Sequence, residues 1–216
     1  MNKFKIVGLF TGRPKEIGPN NLLTSIDKTA VVGPLIIKSD SLVGDKVVNL
    51  KYHGGPDRVI HHYSLEQYDY LKTIFPEHEE LFKAGSYGEN LTTDKLTEAD
   101  LCIGDIFKLG SAKIQLSEGR KPCGTIDVKY GIKGVLKEII STGRYGWFYK
   151  VLEEGEVNLE DELEFIERPY PNLNLKTLIE QLFGKNEKNL ALITEAYNCP
   201  ALSQRWKDIT AKYINN

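Results

Sequence analysis

Chemistry in this chain of 216 residues centres on one of its three cysteines, Cys102, Cys123 and Cys199. An odd number at wide spacing argues against a disulfide framework, and no CxxC zinc signature is present. Cys123 has the most charged surroundings, in Ser117-Glu118-Gly119-Arg120-Lys121-Pro122-Cys123-Gly124. Arg120 and Lys121 are close enough to favour a thiolate. Pro122 stiffens the backbone before it and Gly124 leaves room after it. A thiolate held this way can act as a nucleophile, a redox switch or a soft-metal ligand. The structural alternative is a buried, inert thiol. Cys102, inside Leu101-Cys102-Ile103, and Cys199 in the tail fit that alternative better.

Two upstream segments could share a site with Cys123. In Tyr52-His53-Gly54-Gly55-Pro56-Asp57-Arg58, paired glycines beside a proline specify a tight loop with exposed N–H groups, able to approach an anion. His53 adds a titratable donor and Arg58 a permanent cation suited to phosphate. The alternative is a plain turn. His61 and His62 follow on a strand, where alternation sends them to opposite faces. The expected outcome is one histidine buried and hydrogen-bonded, the other exposed. Without HxH or HxxxH spacing they make a poor metal site. In Gly88-Glu89-Asn90-Leu91-Thr92, Glu89 and Asn90 could pin a loop or read the edge of a heterocycle.

These residues need a scaffold, and the first two-thirds of the chain reads as short strands punctuated by turns. Expected strands are Ile6–Phe10, Ala30–Ile37, Lys46–Leu50, Arg58–Tyr63, Asp105–Leu109 and Lys113–Leu116, then Gly146–Leu152 and Glu162–Ile166. Such a pattern suggests a barrel or sandwich. Two helices interrupt it, Leu65–Phe75 after the N-cap candidate Ser64, and one within Ile132–Ile140. Arg168-Pro169-Tyr170-Pro171 reads as a stiff connector. Beyond it, apolar residues at helical spacing predict three short helices that dock on the β domain or on a second subunit.

Bulk properties narrow the function. The formal net charge of −2 removes the electrostatic footprint of a general nucleic-acid binder. The N-terminus reads as a strand and not as a signal peptide, and no stretch approaches a membrane span. The expectation is a soluble, cytoplasmic protein.

In order and spacing, these motifs together resemble the MOSC domain family, named for the C-terminus of molybdenum cofactor sulfurase. The similarity is greatest to its stand-alone YiiM-type branch. It is carried by Gly44-Asp45, His53-Gly54-Gly55-Pro56-Asp57-Arg58, His62-Tyr63, Phe75-Pro76, Gly88-Glu89-Asn90-Leu91, Gly104-Asp105, Arg120-x-Pro122-Cys123 and Gly146-Trp147. The resemblance implies a mostly β fold: a MOSC-type β-barrel over residues 1–168 with peripheral helices, plus a three-helix module over 173–216, α+β overall. It implies a molybdenum cofactor (molybdopterin) with Cys123 as protein ligand and catalytic residue. Implied cofactor contacts are His53, Gly54, Gly55, Asp57, Arg58, His62, Glu89, Asn90, Arg120 and Lys121. The implied activity is reduction of N-hydroxylated compounds such as hydroxylaminopurine. The chain has no Rossmann glycine motif or iron–sulfur cysteine set, so electrons would come from a separate flavoprotein. The alternative is a non-catalytic carrier of the cofactor or of persulfide sulfur. No pyridoxal phosphate is expected, and a homodimer through the helical tail is plausible. The chain departs from much of the branch at Gly124-Thr125, where an aromatic residue and a lysine are common.

Overall fold

The computed structural model describes residues 3–48 and 54–215. In chain order its strands are β1 (Lys3–Gly12), β2 (Lys15–Ile17), β3 (Leu22–Thr24), β4 (Lys28–Ala30), β5 (Leu35–Ile37) and β6 (Ile60–His62). They continue as β7 (Leu91–Thr93), β8 (Ile106–Leu109), β9 (Ala112–Gly119), β10 (Trp147–Glu153), β11 (Gly155–Val157) and β12 (Glu162–Glu167). The α-helices are α1 (Leu65–Ile74), α2 (Thr125–Tyr130), α3 (Val135–Thr142), α4 (Leu175–Phe183), α5 (Leu190–Asn198) and α6 (Gln204–Ile214).

Seven strands close into a barrel in the order β12-β8-β9-β10-β6-β7-β1, with β1 returning to β12 through Phe4 opposite Leu163. Closure leaves no edge within the ring, which suits short strands that would be vulnerable in an open sheet. Every neighbouring pair is antiparallel except β6–β7, which run parallel with His62 opposite Leu91. Strand β4 extends β1 at Phe10–Gly12, and β2–β3 form a separate hairpin.

Inward-facing Ile6, Ile60, Leu91, Phe107, Ile114, Leu116, Trp147, Tyr149 and Leu163 are all 2 % exposed or less. They belong to the same buried cluster as Leu175, Leu178, Ile179, Leu182, Ile193 and Trp206 from α4–α6. The C-terminal helices therefore dock on the barrel, the first of the two sites expected for them. Backbone bonds seal the seam: Leu175 N–H donates to Leu101 O (2.8 Å) and Ile103 N–H to Leu173 O (2.9 Å). Each of the three helices has a side-chain cap at its start. Asn174, Asn189 and Ser203 accept from Thr177, Leu192 and Trp206 N–H, each at 3.1 Å.

Several expected boundaries move for local reasons. The run Ala30–Ile37 is two elements, because Gly33, at φ +85°, and Pro34 break it between β4 and β5. The run Arg58–Tyr63 opens with a 3₁₀ turn at Pro56–Arg58 before β6 begins. Of Lys46–Leu50, residues 46–48 are not strand, and the last two lie outside the described residues. The helix expected within Ile132–Ile140 starts only at Val135, after Gly134 at φ +103°. Helix α2, directly after Cys123, had no apolar periodicity long enough to announce it.

Candidate functional site

Cys123 stands just past the end of β9. Arg120 N–H donates to Gly146 O (2.9 Å), tying that exit to β10, and Cys123 O accepts from Ile126 N–H (3.1 Å) at the start of α2. Gly146 has to be glycine. Its φ is +70°, and a Cβ there would lie 2.7 Å from His62 O. The Cys123 side chain is half-buried and opens on two cavities.

The larger cavity, about 570 Å³, is walled by Gly54, Gly55, Arg58, His61, Asn90 and Arg120, with Lys28 and Asp45 from the β4 side. The smaller, about 250 Å³, lies between the barrel and α6, against Glu118, Lys121, Arg205 and Trp206. Arg58, Arg120, Cys123 and Phe148 wall both.

The electrostatics of this junction are uneven. Arg58 Nε lies 2.5 Å from Glu118 Oε1, and the other oxygen of Glu118 accepts from Ser203 Oγ. Burial raises the Glu118 carboxyl pKa, with Arg58 opposing the shift. Arg120 is only 8 % exposed. Its Nη1 donates to the Tyr87 hydroxyl at 3.0 Å, and its guanidinium lies 4.5 Å from the Tyr87 ring centroid. Among the described residues no carboxylate pairs with Arg120. Burial pushes the Tyr87 phenol up to about 12, with Arg120 opposing, so the partner is neutral. A buried cation held by a neutral phenol directs its charge into the cavities, and it is costly unless an anion joins it.

His61 also faces the larger cavity. Burial, then the nearby Arg120 charge, hold its pKa well below the usual range, so the ring is neutral. Nδ1–H therefore donates to Gly88 O (3.2 Å), leaving Nε2 a buried acceptor with no partner among the described residues. Lys28 Nζ lies 2.5 Å from Asp45 Oδ1, which also accepts from Gly12 N–H (2.6 Å). Burial lowers the Lys28 pKa, with Asp45 opposing. Sequence reasoning missed Lys28 and His61 as cavity residues. Strand alternation separated His61 from His62 without saying which side was the site.

The other expected residues separate cleanly. Gly54, Gly55, Arg58, Asn90 and Arg120 reach the larger cavity, and Lys121 reaches only the smaller one, its Nζ 4.8 Å from the Phe183 ring centroid. Asn90 is also a clamp, accepting from His61 N–H and donating to Phe10 O, both at 3.1 Å. His62, Glu89 and Asp57 wall neither cavity. His62 turns into the barrel, where its ring nitrogens bond Tyr149 Oη (3.1 Å) and Thr93 Oγ1 (2.8 Å) and burial pushes its pKa down to about 3. Both histidines are buried, so the expected exposed partner is absent. Glu89 Oε1 accepts from Tyr68 Oη, Gly85 N–H and Thr92 Oγ1 and pins its loop. Asp57 accepts from Gln204 N–H (3.0 Å) at the start of α6. His53 lies outside the described residues. Of the departure segment, Gly124 is helical (φ −57°) and Thr125 walls the larger cavity. Cys102 and Cys199 are buried, and burial pushes both thiols up, which suits inert core roles.

These features define a class by fold and site: a closed-barrel protein with one thiol and a buried guanidinium at the mouth of a roomy cavity. More particularly, the chain belongs to the MOSC domain family, whose profile matches residues 49–164. It is 40% identical to Protein YiiM of Escherichia coli (strain K12) over 162 residues, 75% of this chain and 72% of that protein. The crystal structure of YiiM from Geobacillus stearothermophilus superposes with a TM-score of 0.82 at 30% identity, covering 98% of this chain and 99% of that one. A protein named Reductase from Gibberella moniliformis is 32% identical over 191 residues, 88% of this chain but 34% of that protein. These relationships support a role associated with the molybdenum cofactor. No helix among the described residues is long and apolar enough to cross a membrane.

Proposed function

We propose that the protein is a molybdenum-cofactor-dependent reductase of N-hydroxylated compounds, hydroxylaminopurine among them, with Cys123 as the protein's metal ligand. The observation that carries this reading is the buried Arg120, held by a phenol instead of a carboxylate, beside Cys123 at the junction of two cavities. The donor set fits the group. Among the described residues no three His, Cys, Asp or Glu side chains gather to hold a metal, so the fit is to a metal that brings most of its own ligands. One thiol suffices for that, and an anionic ligand answers the charge of Arg120.

Reduction follows R–NHOH + 2 H⁺ + 2 e⁻ → R–NH₂ + H₂O. When bound, the cofactor supplies two-electron redox chemistry suited to breaking an N–O bond. Cys123 anchors it at the mouth shared by the two cavities. Arg120 and Arg58, with N–H groups of the Gly54-Gly55 loop, hold its anionic part in the larger cavity. Gly55, at φ +106°, keeps that loop turned, and a Cβ there would meet nothing within 4 Å, so its conformation and not crowding calls for glycine. Neutral His61 offers Nε2 as an acceptor for a ligand N–H. Asn90 keeps the His61 strand in register with β1. Electrons come from a separate flavoprotein.

The test uses protein from a molybdopterin-competent host, analysed for molybdenum and assayed anaerobically with a flavoprotein reductase and hydroxylaminopurine. Wild type is expected to carry the metal and yield the amine. Cys123→Ala is expected to lose both. Unchanged turnover in that variant would sink the ligand assignment. Metal-loaded wild type that reduces no N-hydroxy compound would instead point to a cofactor or sulfur carrier.

A further inference from the structure

The two cavities meet at Cys123 but differ in size and walls. The larger is lined by the Gly54-Gly55 loop, His61 and Lys28 and, on the reading above, takes the cofactor. The smaller is bounded by Lys121, Arg205 and Trp206, two of them on α6, with Phe148 on the shared wall. Among the described residues its walls carry the cationic side chains of Arg58, Arg120, Lys121 and Arg205 and the carboxylate of Glu118. That carboxylate is already bound to Arg58 and Ser203. Helix α6 thus completes a cationic recess beside Cys123 that the Gly54-Gly55 loop does not line.

We infer that the smaller cavity is the substrate subsite and that it selects N-hydroxylated purines carrying a phosphate, the nucleotide form over the free base or nucleoside. This rests on the reductase reading above. The base lies along the Phe148 wall, with its N-hydroxyl end toward the Cys123 junction. Its phosphate meets Lys121 and Arg205 at the outer wall. An aromatic wall suits a planar base, and a guanidinium and an ammonium suit a phosphate. In this arrangement α6 contributes directly to the site, and Arg205 and Lys121 determine specificity without touching the bond that breaks.

The experiment is calorimetric binding of two unreactive probes, adenosine and adenosine 5′-monophosphate, to cofactor-loaded protein at low salt. The monophosphate is expected to bind at least about tenfold more tightly, a preference that rising salt erodes. In the double variant Lys121→Gln/Arg205→Gln, and again in Lys121→Glu/Arg205→Glu, that preference should fall to near parity. Equal binding of the two probes by wild type overturns the inference, as does a preference that survives both double variants. Monophosphate binding seen with cofactor-free protein and abolished by loading also overturns it, since the anion site would then be the cofactor's own. The probes need no turnover. If loaded protein shows the preference but reduces no hydroxylamine, the reductase reading fails while the anion subsite stands.

Discussion

At the scale of single residues, the site depends on how charge is left uncompensated. Tyr87 fastens Arg120 without neutralising it, and its ring also stacks on Tyr63 with centroids 4.0 Å apart. Tyr87→Phe keeps the stack and deletes the hydrogen bond to a charged group, which contributes about 1.5–3 kcal/mol. Cofactor retained through gel filtration should drop by about tenfold or more, whereas a loss confined to melting temperature would make Tyr87 merely structural. His62 sets a pH response. Its folded pKa of about 3 is depressed from an unfolded value near 6.5, so the native state refuses a proton that the unfolded chain accepts. Its stabilisation is complete above about pH 6.5 and is lost as the pH falls toward 3, at up to about 1.4 kcal/mol per pH unit. His61 acts in the same direction. Buried Glu89, Glu98 and Glu118 have the opposite sign, since burial raises their pKa and their contribution fades as the pH rises. Nitrogen NMR of the imidazoles isolates the histidine effect. Both rings should remain neutral at pH 5 in folded protein, and protonation there would contradict the burial argument.

At the scale of elements, the junction between β9 and α6 turns on Ser203. Its hydroxyl donates to buried Glu118 and accepts from Trp206 N–H, capping α6 and answering a carboxylate oxygen at once. Ser203→Ala removes both and should cost on the order of 1–3 kcal/mol in urea unfolding. Faster amide exchange is expected in α6 before the barrel strands. Uniform exchange across both would show that the cap does not hold the docking. The element boundaries also show what local patterns convey. β1, β8, β10, β12 and α4–α6 were legible because apolar periodicity and caps are short-range signals. The broken run at Gly33-Pro34 and the helix after Cys123 were not, because a six-residue helix such as α2 depends on tertiary contacts more than on its own propensity.

For the whole molecule, the continuity of the core matters most. Barrel residues and α4–α6 share one buried cluster, with Trp206 and Ile179 within 3.2 Å of where a Cβ on Gly119 would stand. A chain cut at residue 172 would expose that face of β9 and should not remain soluble and folded. The full protein is expected to unfold in one calorimetric transition, and two separate transitions would show the helices to be an independent module.

The order of motifs along the chain was enough to name the family and to single out Cys123, because a tight loop, a cationic cysteine and an apolar stripe are each written in neighbouring residues. Which of those residues face a cavity was settled by barrel closure and by the docking of α4–α6. Closure turned His62, expected at the site from its motif, into a core residue and made His61 the one that faces Cys123's cavity. Docking brought Arg205 and Trp206, more than eighty positions beyond Cys123, to its other side. Strand alternation fixes that neighbours point apart, but only the closed sheet and its partners decide which direction is inward.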